Sequence, residues 1–185
     1  WISVAVIFCF ICMSIPIMHL VNLLTDKGFS LEFATSVLMI LLICGAFGRI
    51  LGGMLGDYIG ALPGYILMSL GQTIFVVWFP HLISPTSIYF LAALFGFTYS
   101  GVMSSILVCT RIMVSAKFGA RAMSLTSLFG WIGMGLGGFL GGYFFDIYGD
   151  YTWAFTFAGI TGIVNLFILA LFFMNIRRRE NLLLS

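Results

Sequence analysis

The longest uncharged run in the sequence limits the fold most strongly. Between Tyr58 and Thr110 there are 53 residues without Asp, Glu, Lys or Arg, and the chain of 185 residues holds only eight basic and six acidic side chains. A soluble domain carries roughly 25% charged residues, whereas this chain carries 8% and is 62% hydrophobic, with a mean hydropathy of +1.17. Its own interior cannot bury that much apolar surface, so the sequence predicts an integral membrane protein.

Six apolar stretches are each long enough to cross a bilayer as a helix, which needs about 20 residues. The segment Phe79 to Thr86, with two prolines and a histidine, marks a turn that divides the long uncharged run into two spans. No stretch alternates apolar and polar residues with period two, so a transmembrane β-barrel is not expected. The predicted spans are 1–24, 31–56, 62–79, 87–110, 122–145 and 151–176, with a tail at 177–185.

The basic residues indicate the topology. Arg111, Lys117 and Arg121 lie between spans four and five, and a second cluster follows span six at 177–179. Cytoplasmic loops carry an excess of Lys and Arg, and two spans separate the clusters, so both are expected in the cytoplasm. We therefore predict a multi-pass protein of a cell membrane, either a plasma membrane or a bacterial inner membrane, with a cytoplasmic C-terminus. The first residue, Trp1, is already apolar and no initiator Met is present, which favours a piece of a longer protein.

A repeated sequence motif, called the 85-residue echo below, predicts how the spans are arranged. The motif LGGMLG at 51–56 recurs as LGGFLG at 136–141, 85 residues later, and each copy lies in the middle span of a set of three. Three spans reverse the direction of the chain, so the second set is inverted relative to the first, an arrangement common in transporters. The expected fold is an all-α membrane bundle of six helices, built as two inverted three-helix repeats. In each copy an Asp and then a Gly follow, as Asp57 with Gly60 and Asp146 with Gly149.

Glycines at four-residue spacing form a flat stripe on one face of spans two and five. Such stripes allow close contact between helix backbones in a membrane. The spacing alone leaves open whether the contact is static packing or a sliding interface. The stripe residues are Gly48, Gly52 and Gly56 in span two and Gly133, Gly137 and Gly141 in span five.

Arg49 is the leading candidate for a binding residue. It lies eight residues before Asp57, which is about 12 Å of helix, so it is near the middle of a hydrocarbon layer about 30 Å thick. An unpaired Arg at that depth costs at least about 2.5–3.5 kcal/mol. That cost favours a water-filled cavity or a partner charge over a side chain that reaches the membrane surface. A planar guanidinium suits a carboxylate because it donates two parallel hydrogen bonds.

The remaining polar residues carry weaker signals. His19 and Asn22 lie one turn apart in span one, and His19 is suited equally to bind substrate, carry a proton or lie at the membrane interface. Tyr99 adds a polar face to span four, and the predicted substrate-binding residues are Arg49, His19, Asn22 and Tyr99. Asp57 is suited to capping, to pairing with a basic loop or to gating. Two distant histidines and four cysteines in apolar runs form no metal or catalytic cluster. No enzyme activity, cofactor, metal or nucleic-acid partner is expected.

Three segments resemble the major facilitator superfamily. GAFGRILGGMLGDYIG at 45–60 resembles the signature of its eighth helix, and GLGGFLGGYFFDIYGDY at 135–151 resembles the eleventh helix and the loop that follows. HLVNLLTDKGFS at 19–30 resembles the end of the seventh helix in its monocarboxylate-transporter-like branch, which is related to the oxalate:formate antiporters. The resemblance covers the whole chain and implies that these spans are the C-terminal half of a twelve-helix transporter.

The same resemblance implies roles for particular residues. Arg49 corresponds to a residue that binds a substrate carboxylate, Asp57 and Gly60 belong to a cytoplasmic gating loop, and the glycine faces of spans two and five meet the N-terminal half. Gly45 stands where animal monocarboxylate carriers place an aspartate, and Phe129 stands where oxalate carriers place a lysine. Asn22 replaces the proline that is usual in span one. These departures argue against a dicarboxylate and leave the proton carrier unidentified.

The sequence thus predicts a secondary active transporter that moves a small, monocarboxylate-like organic anion by alternating access. Its expected partners are that anion, a coupled proton or counter-anion, membrane lipid and an N-terminal six-helix half of the same protein. One alternative is a carrier for a neutral or drug-like solute, with Arg49 paired to an acid in the other half. A six-helix channel or structural membrane subunit is the second alternative.

Overall fold

The computed structural model describes the backbone of residues 1–184 and the side chains of residues 1–178, so most of the predicted tail at 177–185 lies outside the described side chains. Six helices are long and apolar enough to cross a membrane, and the described backbone contains no β-strand. The predicted all-α six-helix fold is confirmed. The helices are α1 (Ile2–Asp26), α2 (Leu31–Ile59), α3 (Ala61–Val76), α4 (Pro85–Ile112), α5 (Gly119–Tyr148) and α6 (Thr152–Leu184), with short 3-10 helices at Phe79–His81 and Ala116–Phe118.

Local signals explain where the helices begin. The Ser30 hydroxyl accepts a hydrogen bond from the backbone N–H of Phe33 at 3.2 Å and caps α2. Pro85 opens α4 in the first turn, where its missing N–H needs no partner. The Asp150 carboxylate accepts a hydrogen bond from the N–H of Thr152 at 2.7 Å at the start of α6. Polar residues between apolar runs therefore define these ends.

The connection between α2 and α3 is tighter than the sequence indicated. The predicted loop after residue 56 is absorbed into the two helices, and Gly60 alone joins Ile59 to Ala61. Gly60 has φ +96°, a conformation that is open to glycine and strained for other residues. Pro63 lies in the first turn of α3, where it is tolerated. The chain reverses its direction across the bundle at this one residue.

The six helices form two repeats related by inversion. The main partner of α2 is α4 and the main partner of α5 is α1. Gly48 meets the backbone of Phe97, and its equivalent 85 residues later, Gly133, meets the backbone of Ile7, 90 residues before Phe97. The offset of 85 residues from α2 to α5 and the offset of 90 residues from α1 to α4 thus relate the α5–α1 pair to the α2–α4 pair. The 85-residue echo in the sequence reflects a true structural repeat.

The glycine stripes lie inside this bundle. A Cβ added to Gly52 would lie 2.5 Å from the Cα of Gly101 in α4, and one added to Gly137 would lie 2.9 Å from the carbonyl oxygen of Ile11 in α1. All six stripe glycines are buried by the described residues themselves. The stripes thus pack against helices of the same six-helix unit, whereas the resemblance implied an N-terminal half as their partner.

Helices α3 and α6 contact each other and pack behind α1 and α4. Buried polar side chains hold them in place: the Tyr65 hydroxyl of α3 donates to Oδ1 of Asn165 in α6 at 3.1 Å, and the Gln72 amide of α3 donates to the carbonyl of Cys9 in α1 at 3.1 Å. This leaves α1, α2, α4 and α5 as the four helices that surround the cavity described next.

Candidate functional site

A cavity of about 240 Å³ lies where α1, α2, α4 and α5 come together. Each of the four helices contributes to its wall, with Phe10 from α1, Arg49 from α2, Ser104 from α4 and Trp131 from α5. Ligand sites in helical bundles form between helices in this way. Among the side chains that the structure describes, Arg49 is the only Lys or Arg in this wall, which makes the cavity the candidate site.

Arg49 lies deep along its helix. It precedes the end of α2 at Ile59 by ten residues, which is about 15 Å of axis and close to half the thickness of the hydrocarbon layer. The residue is exposed in this six-helix unit. Its backbone carbonyl accepts a hydrogen bond from the Ser104 hydroxyl at 2.8 Å, which ties α2 to α4 at this level. The structure therefore places a positive charge at mid-membrane depth on a cavity wall.

Gly45, one turn before Arg49, faces α4 at close range. A Cβ added there would lie 3.3 Å from the carbonyl oxygen of Gly96 and 3.3 Å from Cε1 of Tyr99. The Tyr99 ring is half-buried and stacks on Phe95 with centroids 5.8 Å apart. An aspartate at position 45 would thus need the Tyr99 ring to move. Tyr99 thus fills the space next to Gly45 and is not part of the described wall of the Arg49 cavity.

His19 and Asn22 are not brought to this cavity. They follow Phe10 on α1 by nine and twelve residues, or roughly 14–18 Å of helix. Nε2 of His19 donates to the carbonyl of Gly138 at 2.9 Å, and the Asn22 amide donates to the Tyr151 hydroxyl at 3.4 Å. Their distance along α1 places them beyond reach of Arg49. Both residues instead join α1 to α5 and to the start of α6.

One ring nitrogen of His19 has a defined role in this arrangement. A carbonyl can only accept a hydrogen bond, so Nε2 carries the proton that points at Gly138. Nδ1 is buried without a hydrogen-bond partner among the described residues. The imidazole fits against Gly141, where an added Cβ would overlap the ring. The glycine stripe of α5 makes room for this side chain.

The two residues predicted to gate the transporter lie at the far end of α2. Asp57 is exposed in the last turn of that helix, and Gly60 is the single connecting residue. Neither residue contributes to the wall of the Arg49 cavity.

The sequence interpretation missed the apolar wall of the cavity, formed by Phe10, Trp131 and Met134. A signal for one of them was present, because Met134 follows Arg49 by the 85-residue spacing of the echo. Trp131 gave a second signal, since it lies in mid-span although tryptophan is enriched at membrane interfaces. Within the described residues no cluster of three or more His, Cys, Asp or Glu side chains is arranged to hold a metal ion.

The sequence profile of the Major Facilitator Superfamily matches residues 1–183. The chain therefore belongs to the Major Facilitator Superfamily, and six of its described helices are long and apolar enough to cross a membrane.

Individual relatives agree with that assignment. Monocarboxylate transporter 13 of Bos taurus is 32% identical over 152 residues, which are 78% of this chain and 34% of that protein, and the Rattus norvegicus protein of the same name gives the same values. Riboflavin transporter MCH5 of Saccharomyces cerevisiae is 35% identical over 100 residues, which are 52% of this chain and 19% of that protein. The matched region thus spans about a third of the length of the monocarboxylate transporters.

Proposed function

We propose that this chain is part of a secondary active transporter that moves a small organic anion across a membrane by alternating access, and that Arg49 binds the carboxylate of that anion. The observation that carries the proposal is the position of Arg49 on the wall of a cavity shared by α1, α2, α4 and α5. Two relatives named as monocarboxylate transporters support the choice of an anion.

The energetics of a charge at mid-membrane depth support the same choice. A guanidinium at this depth needs a counter-charge or water, and the position one turn away is Gly45 rather than an acid. A substrate carboxylate supplies that counter-charge and matches the planar donor geometry of arginine. Under this proposal Tyr99, which packs against Gly45, would contribute a phenolic hydroxyl to the bound substrate.

The remainder of the binding site comes from elsewhere in the protein under this proposal. The chain matches only about a third of the length of the monocarboxylate relatives, and the Arg49 side chain is exposed in this unit. An N-terminal six-helix half would close the cavity from the other side, and rocking of the two halves would expose the substrate to each face of the membrane in turn. A proton or counter-anion would balance the charge that is moved.

A second candidate function is transport of a neutral or drug-like solute. Two observations favour it: the cavity wall includes the aromatic side chains of Phe10 and Trp131, and one relative is named as a riboflavin transporter. In that case Arg49 would pair with an acid from the other half, and its charge would hold the two halves together rather than bind substrate.

Uptake by the full-length protein in proteoliposomes separates the two candidates. Arg49→Lys keeps the charge and loses the bidentate fork, so the apparent affinity for carboxylates should fall. Arg49→Gln should lose anion transport more completely, because a hydrogen bond to a charged group contributes about 1.5–3 kcal/mol, or at least about tenfold in affinity. If Arg49→Gln transports every substrate of the wild type with unchanged affinity, the organic-anion assignment is wrong.

A further inference from the structure

We propose that the Arg49 cavity selects a monocarboxylate whose tail is aromatic or a bulky apolar group, with the carboxylate at Arg49 and the tail against Phe10, Trp131 and Met134. This inference rests on the proposed function, since it takes Arg49 as the carboxylate partner. It adds the number of charges on the substrate and the chemistry of its tail.

The inverted repeat supplies the argument for a single charge. Met134 is the equivalent of Arg49, because 85 residues separate them and both line the same cavity. Their backbones are held alike: Ser104 Oγ donates to the carbonyl of Arg49 at 2.8 Å, and Ser14 Oγ donates to the carbonyl of Met134 at 2.7 Å. A second cation at this equivalent position would suit a dianion. The thioether found there accepts an apolar group instead.

The wall on the side of α5 is aromatic as well as apolar. Trp131 lies one turn before Met134 and is 70% exposed although it is far from both ends of α5. Its equivalent in α2 is Ala46, so the tryptophan belongs to only one side of the cavity. Tryptophan is normally enriched at membrane interfaces, and an exposed indole at mid-helix on a cavity wall is suited to stack on a planar ligand.

Phe10 continues this aromatic surface from α1. Its ring lies against Gly130, where an added Cβ would be 2.9 Å from two ring atoms. The glycine therefore lets the ring lie close to α5, on the same cavity as Trp131. The wall also carries three hydroxyls, of which that of Ser104 already donates its proton to a backbone carbonyl; the other two belong to Thr126 and Ser127. The tail preference therefore rests on the side of the wall formed by Phe10, Trp131 and Met134.

Matched acids test the inference in the full-length protein. Uptake into proteoliposomes is measured for acetate, which has no tail, for phenylacetate, for phenylmalonate, which adds a second carboxylate to the same tail, and for the neutral phenylacetamide. Phenylacetate should bind at least about tenfold more tightly than acetate, because even one methylene in an apolar pocket is worth about 10- to 200-fold. Phenylmalonate should bind more weakly than phenylacetate, because its second charge has no partner.

Substitutions at wall residues test whether the cavity wall causes this preference for an aromatic tail. Trp131→Ala should lower the affinity for phenylacetate about tenfold and change that for acetate by less than about twofold, while Trp153→Ala, at an exposed tryptophan outside the cavity, should change neither. Met134→Arg should raise the affinity for phenylmalonate, a gain that misfolding cannot produce.

The outcomes separate this inference from the function on which it rests. Equal affinity for acetate and phenylacetate, with uptake of both abolished by Arg49→Gln, overturns the tail preference and keeps the anion transporter. Uptake of phenylacetamide that is unaffected by Arg49→Gln overturns the anion transporter itself. Tight binding of phenylmalonate by the wild type contradicts the single-charge argument. An absence of phenylacetate uptake contradicts the preference for an aromatic tail.

Discussion

Arg49 and Met134 occupy equivalent positions in two inverted repeats and line the same cavity. Each backbone carbonyl accepts a hydrogen bond from a serine hydroxyl of the neighbouring helix. The donor is Ser104 for Arg49, at 2.8 Å, and Ser14 for Met134, at 2.7 Å. The repeat thus builds one geometry twice and fills it with a cation on one side and a thioether on the other. Backbone symmetry combined with unlike side chains gives the cavity a charged side and an apolar side.

The paired serines predict matched effects on stability. Ser104→Ala and Ser14→Ala each remove one hydrogen bond between helices, which in membrane proteins is worth about 0.6 kcal/mol on average. Both variants of the full-length protein should show a similar, small decrease in thermal stability in detergent. Ser124→Ala is the control, because its hydroxyl bonds only to the carbonyl of Ala120 in its own helix. A loss of several kcal/mol at either serine would contradict this account.

The glycine stripes predict position-dependent tolerance of larger side chains. Gly52→Leu and Gly137→Leu should abolish transport, because leucine would force α2 away from α4 or α5 away from α1. Gly53→Leu and Gly135→Leu should be tolerated, since an added Cβ at either position meets nothing within 4 Å. Membrane insertion and uptake are measured for all four. Normal uptake by Gly52→Leu and Gly137→Leu would show that the close contacts are dispensable.

The single-residue connection predicts a strict need for glycine at position 60. Gly60→Ala should destabilise the α2–α3 connection by about 1–3 kcal/mol, the usual range for a strained backbone conformation, because φ is +96° there. If Asp57 and Gly60 act in gating, Gly60→Ala should also slow transport more than it weakens substrate binding. Gly119→Ala, at a glycine with ordinary φ and open space, is the control. Equal stability of the two variants would be evidence against strain at Gly60.

Lys27 links the α1–α2 connection to the α3–α4 connection at one end of the bundle. Its ammonium donates to the carbonyls of Phe79 at 3.2 Å, Pro80 at 2.5 Å and Leu82 at 2.9 Å. Burial lowers the pKa of Lys27, so desolvation of the charge offsets part of these hydrogen bonds. Lys27→Met should therefore destabilise the full-length protein by only about 1–3 kcal/mol.

The exposed Lys117 provides the matched control for this prediction, since Lys117→Met removes a cation that lies in the open. Thermal unfolding in detergent compares the two variants. Equal midpoint temperatures of unfolding for Lys27→Met and Lys117→Met would mean that water satisfies the three carbonyls as well as the Lys27 ammonium does.

The basic residues predict the orientation of the bundle. The connection that contains Lys117 should lie in the cytoplasm and Asp150 on the opposite side. Both residues are exposed, so single cysteines at each position, in a protein without other cysteines, should differ in reaction with a membrane-impermeant reagent on intact cells. Labelling of Asp150→Cys but not of Lys117→Cys is expected. The reverse pattern would invert the topology.

The sequence by itself determined the number of helices, their inverted repeat and the depth of Arg49. The bilayer requires about 20 apolar residues for each helical span, and backbone hydrogen bonds must be satisfied within each helix. These are properties of single segments, so hydropathy, the 85-residue echo and the distance from Asp57 to Arg49 were enough. The capping residues Ser30 and Asp150 also act locally and could be recognised from their position between apolar runs.

Only the tertiary structure decided which helix faces meet. In water, an apolar stripe identifies the buried face of a helix, but in lipid all faces are apolar and that signal is lost. The sequence therefore located the glycine stripes without identifying their partners, which proved to be α4 and α1. The contact of His19 with α5, and the cavity that Arg49 lines together with Phe10 and Trp131, bring together residues about 40 to 120 positions apart. Such contacts depend on how the helices cross.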